Sequence, residues 1–419
     1  MGRFSRSFTR GFENLGMTLT SQNWSDITGS KSVAGTVVNE QTAMSLSAVY
    51  ACVKVLSETM GALPFYLYKQ SATSKELASK HSLFSLLQSE PNSEMTAYTF
   101  KETITGHLCL RGNAYCEIEY DENWRPKALW LLMADRTWPM RDLNTGQIFY
   151  QTTLLDGTMI TLASWRVLHI VGQSYDGLVG MSPIRAQMET IGGALATQKY
   201  GNMFFANGAR PSGVLQHPKT LSTIGIANLR DSFDNKYSGL NNSHKPMILE
   251  EGMTYKSISV APDEAQYIET RKLGIEDIAR IFRVPLHMIG DLNHATFSNI
   301  ESQSIEFATR TIHPYCVKIE QEFMRKLLTS KEKNNYYMRF NMDEMKRGDQ
   351  KSRYESYAIG RNNSFLSGND IRRFEDENPY EGGDDYHVAV NLMPISESGP
   401  FWKAKSQLKN TVDTTIAKI

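Results

Sequence analysis

The run from Glu264 to Leu328 constrains this chain more than any other part of it. It opens as EAQYIETRKLGIEDIARIFRVP, breaks into LHMIGDLNHATF, and resumes as SNIESQSIEFATRTIHPYCVKIEQEFMRKLL. In the first segment Ile268, Ile275, Ile278 and Phe282 recur at the helical period and share one stripe. Val284-Pro285 ends that helix, because proline drives the residue before it out of the α region. The second helix is expected to open at Ser298, which with Glu301 makes the reciprocal capping pattern that satisfies orphan N–H groups. Ile305, Ala308, Ile312, Tyr315, Ile319, Phe323 and Leu327 then keep helical spacing, and Pro314 should kink the rod by removing one hydrogen bond. At ~1.5 Å per residue the two helices span roughly 30 Å and roughly 45 Å. Two long rods joined by a loop of about a dozen residues make a lever, and neither rod carries a catalytic pattern.

Composition narrows what such a lever can serve. The 419 residues allow substantial cores and two or three domains. Lys+Arg 45 against Asp+Glu 45 leaves a formal net charge of zero. A chain that clamps duplex DNA carries a basic excess to displace counterions, so any contact with DNA should be loose. No apolar run reaches the roughly eighteen residues of a transmembrane helix, and no membrane partner is expected. The N-terminus has arginines without an apolar core, which argues against a secretory signal, and Arg6 breaks the myristoylation pattern. Cys52, Cys109, Cys116 and Cys316 form no CxxC pair and read as core cysteines of a reducing compartment.

Along the chain, residues 1–44 read as a flexible arm rich in Ser, Thr, Gly and Asn. Leu46, Val49, Val53, Leu56 and Met60 predict a helix stopped by Pro64, and PFYLYKQ predicts a strand. A helix should start at Thr96 or Thr99 and stop at Arg111-Gly112. AYCEIEY, ALWLL, FYQTTLL, GTMITL and RVLHIVG are strands of an α+β region, with DENWRPK as a turn. Asn113 reads as a turn-capping side chain. Ser182-Pro183 opens a helix running to about Asn207, whose Gly192, Gly193 and Gly201 cost roughly 1 kcal/mol each unless neighbours pack closely on them. In the following insert, Ile224, Leu229 and Phe233 should face inward from a short helix, between a strand in GARPSGVLQHP and two in NNSHKPMILEEGMTYKSISV. YYMRFNM is a strand, a helical hairpin capped at Ser367 or Asn369 follows, and the tail is Lys-rich and flexible.

The segment IEDIARIFRVPLHMIG, the TFSNIE start of the next helix and its EQEFMRKLL end resemble the portal proteins of tailed bacteriophages. EPNSEMT, RGNAYCEIEYD, HIVGQSYDGLVGMSPIRAQ and EGGDDYHVAVNLMPI extend that resemblance, in order, across about residues 45–394, although LWLLMADRTWP lacks the proline pair such proteins carry. The resemblance implies an α+β portal-type fold assembled as a ring. Its parts would be the arm at 1–44, a wing at 45–180, a first stem helix at 181–207 and a small α+β clip at 208–262. A second stem helix at 263–284, a tunnel loop at 285–297, a long kinked helix and return wing strand at 298–342, a helical crown at 343–394 and a tail at 395–419 complete it. It implies a channel at the capsid vertex through which double-stranded DNA is packaged and ejected, built from a homo-oligomer of about twelve copies by family analogy. Implied partners are the terminase packaging ATPase, a major capsid or scaffold protein, and head-completion or tail adaptor proteins; no cofactor, metal or catalytic residue is implied. Tunnel-loop candidates are Gly290, Asn293, His294 and Thr296; stem candidates facing the channel are Glu269, Lys272 and Glu276; docking candidates on the clip are Lys219, Arg230, Lys236 and Lys245.

Two other classes compete. A helix-turn-helix reading puts Ala279 and Val284 at suggestive offsets, but its recognition segment would carry Leu286, Met288, Ile289 and Asp291, few of which can read base edges. A metal-dependent hydrolase would draw on His287, Asp291 and His294, or on Asp384, Asp385 and His387, and neither group has the HExxH arrangement. GGxxxTxK lacks the strand that precedes a phosphate loop, and no Gly-x-Ser-x-Gly elbow occurs.

Overall fold

The computed structural model describes residues 30–70, 75–142, 144–154, 156–206, 213–218, 220–228, 231, 252–257, 264–292, 297–342, 345, 350–375 and 377–386. Two compact units divide it, residues 1–342 and 343–419.

Residues 30–44, expected within the flexible arm, are folded. β1 (Ser30–Lys31) and β2 (Val37–Val38) pair antiparallel, and α1 (Glu40–Met44) starts from a reciprocal Asn39–Thr42 cap. Val38 and Ala43 are buried, which gives this short segment an apolar anchor that its polar composition hides. Residues 1–29 lie outside the described residues.

α2 (Ser47–Ala62) buries Val49, Cys52, Val53, Leu56 and Met60, the stripe its periodicity predicts, and gives way to β3 (Phe65–Gln70). After β4 (Lys75–Leu77) and α3 (Ser82–Gln88) comes α4 (Ala97–Arg111). Its N-cap is Thr96, whose hydroxyl accepts from Thr99 N–H, and its stop is Gly112 at φ +71°. α2 and α4 pack together as the central helical layer. β5 (Asn113–Tyr120), β6 (Pro126–Leu132), β7 (Thr137–Arg141), β8 (Ile148–Thr153), β9 (Met159–Ala163) and β10 (Val167–Val171) follow. They form two antiparallel sheets, in the orders β10-β5-β6 and β7-β8-β9. β7 is not among the strands expected from the sequence, and it carries Pro139, which a central strand would not accommodate. It is tolerated because β7 lies at the edge of its sheet, where no second neighbour asks for the missing N–H.

α5 (Pro183–Ala186) and α6 (Met188–Ala206) replace the single helix expected from Ser182 onward. Ser182 caps the first as foreseen, but Gln187 leaves helical geometry at φ −113°, ψ +30°. β11 (Gly213–Gln216) and β12 (Thr254–Ser257) pair antiparallel across the intervening insert. A helical turn lies at 223–228, where Ile224, expected to face inward, is exposed. Leu229 and Phe233 lie outside the described residues.

α7 (Glu264–Phe282) ends three residues before Pro285, with Arg283 at φ +55° and Val284 N–H bonded to Ala279 O at 3.0 Å. α8 (Phe297–Glu306) begins at Phe297, so Ser298 stands inside its first turn, whereas the sequence places it just before the helix. A π-helical stretch, Phe307–Ile312, then leads into α9 (His313–Leu327). Pro314 has no N–H for the carbonyl one turn earlier, and the chain answers by widening that turn. β13 (Tyr336–Phe340) returns to pair with β3, giving the sheet order β13-β3-β4.

α9 ties these sheets together. Phe323 meets Phe65 edge-on at 5.4 Å, and Phe65 stacks on Phe340 at 4.2 Å, pairs worth about 0.5–1.5 kcal/mol each beyond their burial. On its other side Lys318 Nζ donates to Gly172 O at 2.6 Å, Glu322 accepts from His169 N–H at 3.3 Å, and Lys326 donates to Ser164 O. These residues, four apart, follow one helix face and occupy the free edge of β10, while Glu320 accepts from Phe340 N–H on the β13 edge at 2.8 Å.

In the second unit α10 (Gln350–Asn362) and α11 (Gly368–Phe374) make the expected hairpin. Ser367 is the N-cap of α11, paired reciprocally with Asp370.

Candidate functional site

The helix pair α6–α7 stands where the sequence places its stem candidates. Small residues set the approach. A Cβ at Gly201 would fall 1.8 Å from Tyr267 Oη, and one at Gly274 would touch Ala194 Cβ at 3.8 Å. Tyr267 Oη also donates to Thr197 O at 3.4 Å. Low numbers on α6 meet high numbers on α7, so the two helices run antiparallel and the insert leaves and returns at one end of the pair. Gly192 is covered differently: a Cβ there would strike Ser32, and Thr36 Oγ1 donates to Gly192 O at 3.0 Å. Gly192 and Gly201 are thus closed by the chain's own residues, while Gly193, between them on α6, has open space.

α7 changes character along its length. Ile278, Ala279 and Phe282 are buried, as their stripe predicts, and the helix packs on α2. Ile268, at the other end of that stripe, is 53% exposed, as is Leu273. Glu269 and Lys272 are exposed; Glu276 is half-buried and accepts from Arg280 at 3.0 Å, while Arg280 also bonds Asp277.

Beyond α7 the chain makes one 3-10 turn, Leu286–Ile289, ending at Gly290 with φ +90°. Nothing lies within 4 Å of a Cβ at Gly290, so its backbone angle alone calls for glycine. This single turn replaces the recognition helix that a helix-turn-helix needs. His287 Nδ1 meets Gln303 Oε1 on α8 at 3.0 Å, and Thr311 Oγ1 in the π-helical stretch donates to Arg283 O at 2.9 Å. Both ends of the loop are therefore pinned. Leu292 is 63% exposed and Ile289 half-buried. Asn293, His294 and Thr296 lie outside the described residues, as do Lys219, Arg230, Lys236 and Lys245.

Open clefts on either side of this junction share Arg280, Arg283, Arg310 and Thr311. Arg310 pairs with Glu306 at 3.2 Å, and the walls mix both signs of charge. Among the described residues no three His, Cys, Asp or Glu side chains gather as a metal set. His294 and His387 lie outside that search.

Sequence reasoning missed a buried polar knot behind α5. Asn113 does more than cap a turn: its Nδ2 donates to Gly180 O and its Oδ1 accepts from Gly180 N–H, both at 2.7 Å, across 67 residues. That backbone pair fixes which way the amide points. Oδ1 also meets His169 Nε2 at 3.0 Å, so Nε2 carries the proton and Nδ1 accepts from Tyr150 Oη at 3.2 Å. Tyr115 stacks on His169 at 4.3 Å. Burial first, and then Arg325 and Lys326, push the His169 pKa down to about 3, so the ring is neutral. Around it three glycines bring backbones together, since a Cβ at Gly172 or Gly180 would fall 2.6 or 1.8 Å from Gly112 O. The sequence signal was present, in RGNAY, HIVG and GLVG, but it marks a packing knot and no chemistry.

Residues 47–376 match a family described as phage portal protein. A probable portal protein of Streptomyces phage phiC31 is 33% identical over 418 residues, covering 95% of this chain and 90% of that protein. Among solved structures, a chain from the neck of an empty GTA particle computed with C6 symmetry superposes with a TM-score of 0.57 at 21% identity, covering 81% of this chain and 93% of that one. An HK97 family phage portal protein from Corynebacterium diphtheriae gives 0.55 at 17% identity, over 72% and 94%. At those identities the structural likeness speaks for the fold.

Proposed function

The chain belongs to the phage portal protein family, and on that premise we propose that its copies close into a ring whose central channel passes double-stranded DNA. The portal sits at the capsid vertex, where the genome enters during packaging and leaves on ejection. The observation that carries the reading to this chain is the antiparallel α6–α7 pair. It presents an exposed charged face, and it holds an insert at one tip and a doubly pinned loop at the other. Twelve copies is the number the family resemblance favours, and the C6 symmetry of the similar neck fits a multiple of six. With zero net charge the channel should let duplex slide without gripping it.

In this reading α6 and α7 are the stem, residues 208–262 the clip, residues 285–297 the tunnel loop, and the hairpin of the second unit the crown. Gly290, Asn293, His294 and Thr296 would follow the DNA surface at the narrowest point. Glu269, Lys272 and Glu276 belong to the stem wall. Lys219, Arg230, Lys236 and Lys245 would meet the packaging ATPase and later the tail adaptors, while the wing meets capsid or scaffold protein. The motor supplies the energy, and this chain supplies the conduit.

Mass photometry at several salt concentrations tests the ring directly. A closed multimer is expected; a single-chain mass at micromolar concentration throughout overturns it. Replacing residues 212–260 with a short linker should leave rings intact and abolish packaging, whereas filled particles from that deletion would remove the docking role.

A further inference from the structure

We infer that the N-terminal half of α7 carries both sides of the contact between successive copies of the ring: the flank around Ile268 on one copy docks on the flank around Leu273 of the next, leaving Glu276 toward the channel. The inference rests on the ring proposed above and adds which residues meet.

Tyr267 and Gly274 mark the side of α7 already covered by α6. At about 100° per residue, Ile268 lies about 110° round the helix from that side in one direction and Leu273 about 110° in the other, with Glu276 opposite α6. Ile268 and Leu273 are each 53% exposed, among exposed neighbours on this half of the helix (Gln266, Glu269, Thr270, Arg271 and Lys272) that are all polar or charged. A single exposed apolar residue needs no explanation, but two at mirror positions either side of a covered back are what a wedge between two neighbours requires. The charges beside them differ in sign. Arg271 and Lys272, both exposed, bracket Ile268 on the helix surface. Glu269 and Asp277 bracket Leu273, and on that flank one arginine, Arg280, faces both Glu276 and Asp277. Setting the first flank on the second brings Ile268 to Leu273 and Lys272 toward Glu269. Setting like on like would oppose Lys272 to itself. Such a head-to-tail contact repeats around a closed ring, whereas a like-on-like contact stops at two copies. The stem candidates then separate: Lys272 and Glu269 sit at the seam between copies, and Glu276 lies on the channel side.

The test combines Ile268→Cys with Leu273→Cys in one chain. The native cysteines are all buried, so they should not compete. The new pair stands about 7.5 Å apart along the helix on opposing flanks, too far to bond within one helix, and the contact requires the stem to tilt across the ring axis, which shortens that step between neighbouring copies. Rings are first verified by mass photometry under reducing conditions; their absence from the unmodified protein would overturn the ring itself. Oxidation of assembled rings should give a ladder of covalent multimers on a denaturing gel, while each single variant runs as one chain. Monomers alone from oxidised double-variant rings, or dimers from a single variant, overturn the inference and leave the ring standing. If the cysteine pair blocks assembly, charge reversal decides: Lys272→Glu should lower the assembled fraction several-fold, and adding Glu269→Lys should restore it. Failure of that restoration also overturns the inference.

Discussion

His169 should make this protein acid-sensitive to an extent that can be calculated. Its ring is buried between Tyr115 and Tyr150, bonded through Nε2–H to Asn113, with Arg325 and Lys326 opposing any added positive charge and Asp176 offering a weak opposite pull. The nearby Glu322 carboxylate is engaged by Arg325 and by the His169 backbone N–H. The folded pKa lies at about 3 against an ordinary 6.5. Above pH 6.5 both folded and unfolded forms hold the ring neutral, and the full stability is present. Below it the unfolded chain takes up a proton that the folded chain refuses, so stability falls as pH drops toward 3. The slope for one such group approaches about 1.4 kcal/mol per pH unit below 6.5, which integrates to about 2.7 kcal/mol between pH 7.5 and 4.5. Carboxylates titrate in the lower part of that window, so the measurement must be a difference. Urea denaturation of the native sequence and of His169→Gln, at equal protein concentration and in half-unit steps from pH 7.5 to 4.5, isolates the imidazole. The variant will be less stable at neutral pH, having lost packing against Tyr115, but its curve should be flatter by about that amount. Parallel curves would refute the reasoning, because they would mean that the ring protonates inside the folded protein.

Local rules carried much of the fold. Thr96 and Gly112 bound α4 where capping chemistry puts them, Pro64 and Pro285 stop their helices, and the buried stripe of α2 follows its period. The errors came where a distant partner overrode a local signal. Residues 30–44 look mobile in composition, yet Ser32 and Thr36 fit the groove at Gly192, 156 residues away from Thr36. Pro139 suits no central strand, yet β7 takes it at a sheet edge. Ser298 suits a cap, yet the helix begins one residue earlier. Pro314 predicts a kink, and the rod carries a π-helical stretch just before it, pinned to Arg283 by Thr311. The site was legible as an arrangement of rods and a loop and illegible in detail. Periodicity can say that Ile268 lies on the stripe of Ile278, but only the packing shows that one is buried and the other bare. Gly192 and Gly201 of α6 do have close neighbours, but Ser32 and Tyr267 of the same chain supply them. Their burial therefore offers no support for a ring, and that case stands on the family and on the exposed half of α7.

Three further outcomes can be checked. Thr96→Ala removes the hydroxyl that accepts from Thr99 N–H and should cost about 1 kcal/mol in chemical denaturation, with helix α4 otherwise intact. Gly180→Ala places a Cβ 1.8 Å from Gly112 O, backbone against backbone, and should cost about 3 kcal/mol or more; an unchanged melting temperature would mean that the knot is loose. The third concerns the loop after Gly290. Its flanks are fixed at His287–Gln303 and Thr311–Arg283, so bulk added at Asn293 and His294 cannot be relieved by shifting either helix end without breaking those bonds. Tryptophan at both positions should leave ring mass unchanged and reduce the fraction of DNA-filled particles. If rings and filled particles both form at normal yield, the loop only connects two helices, and the constriction lies elsewhere.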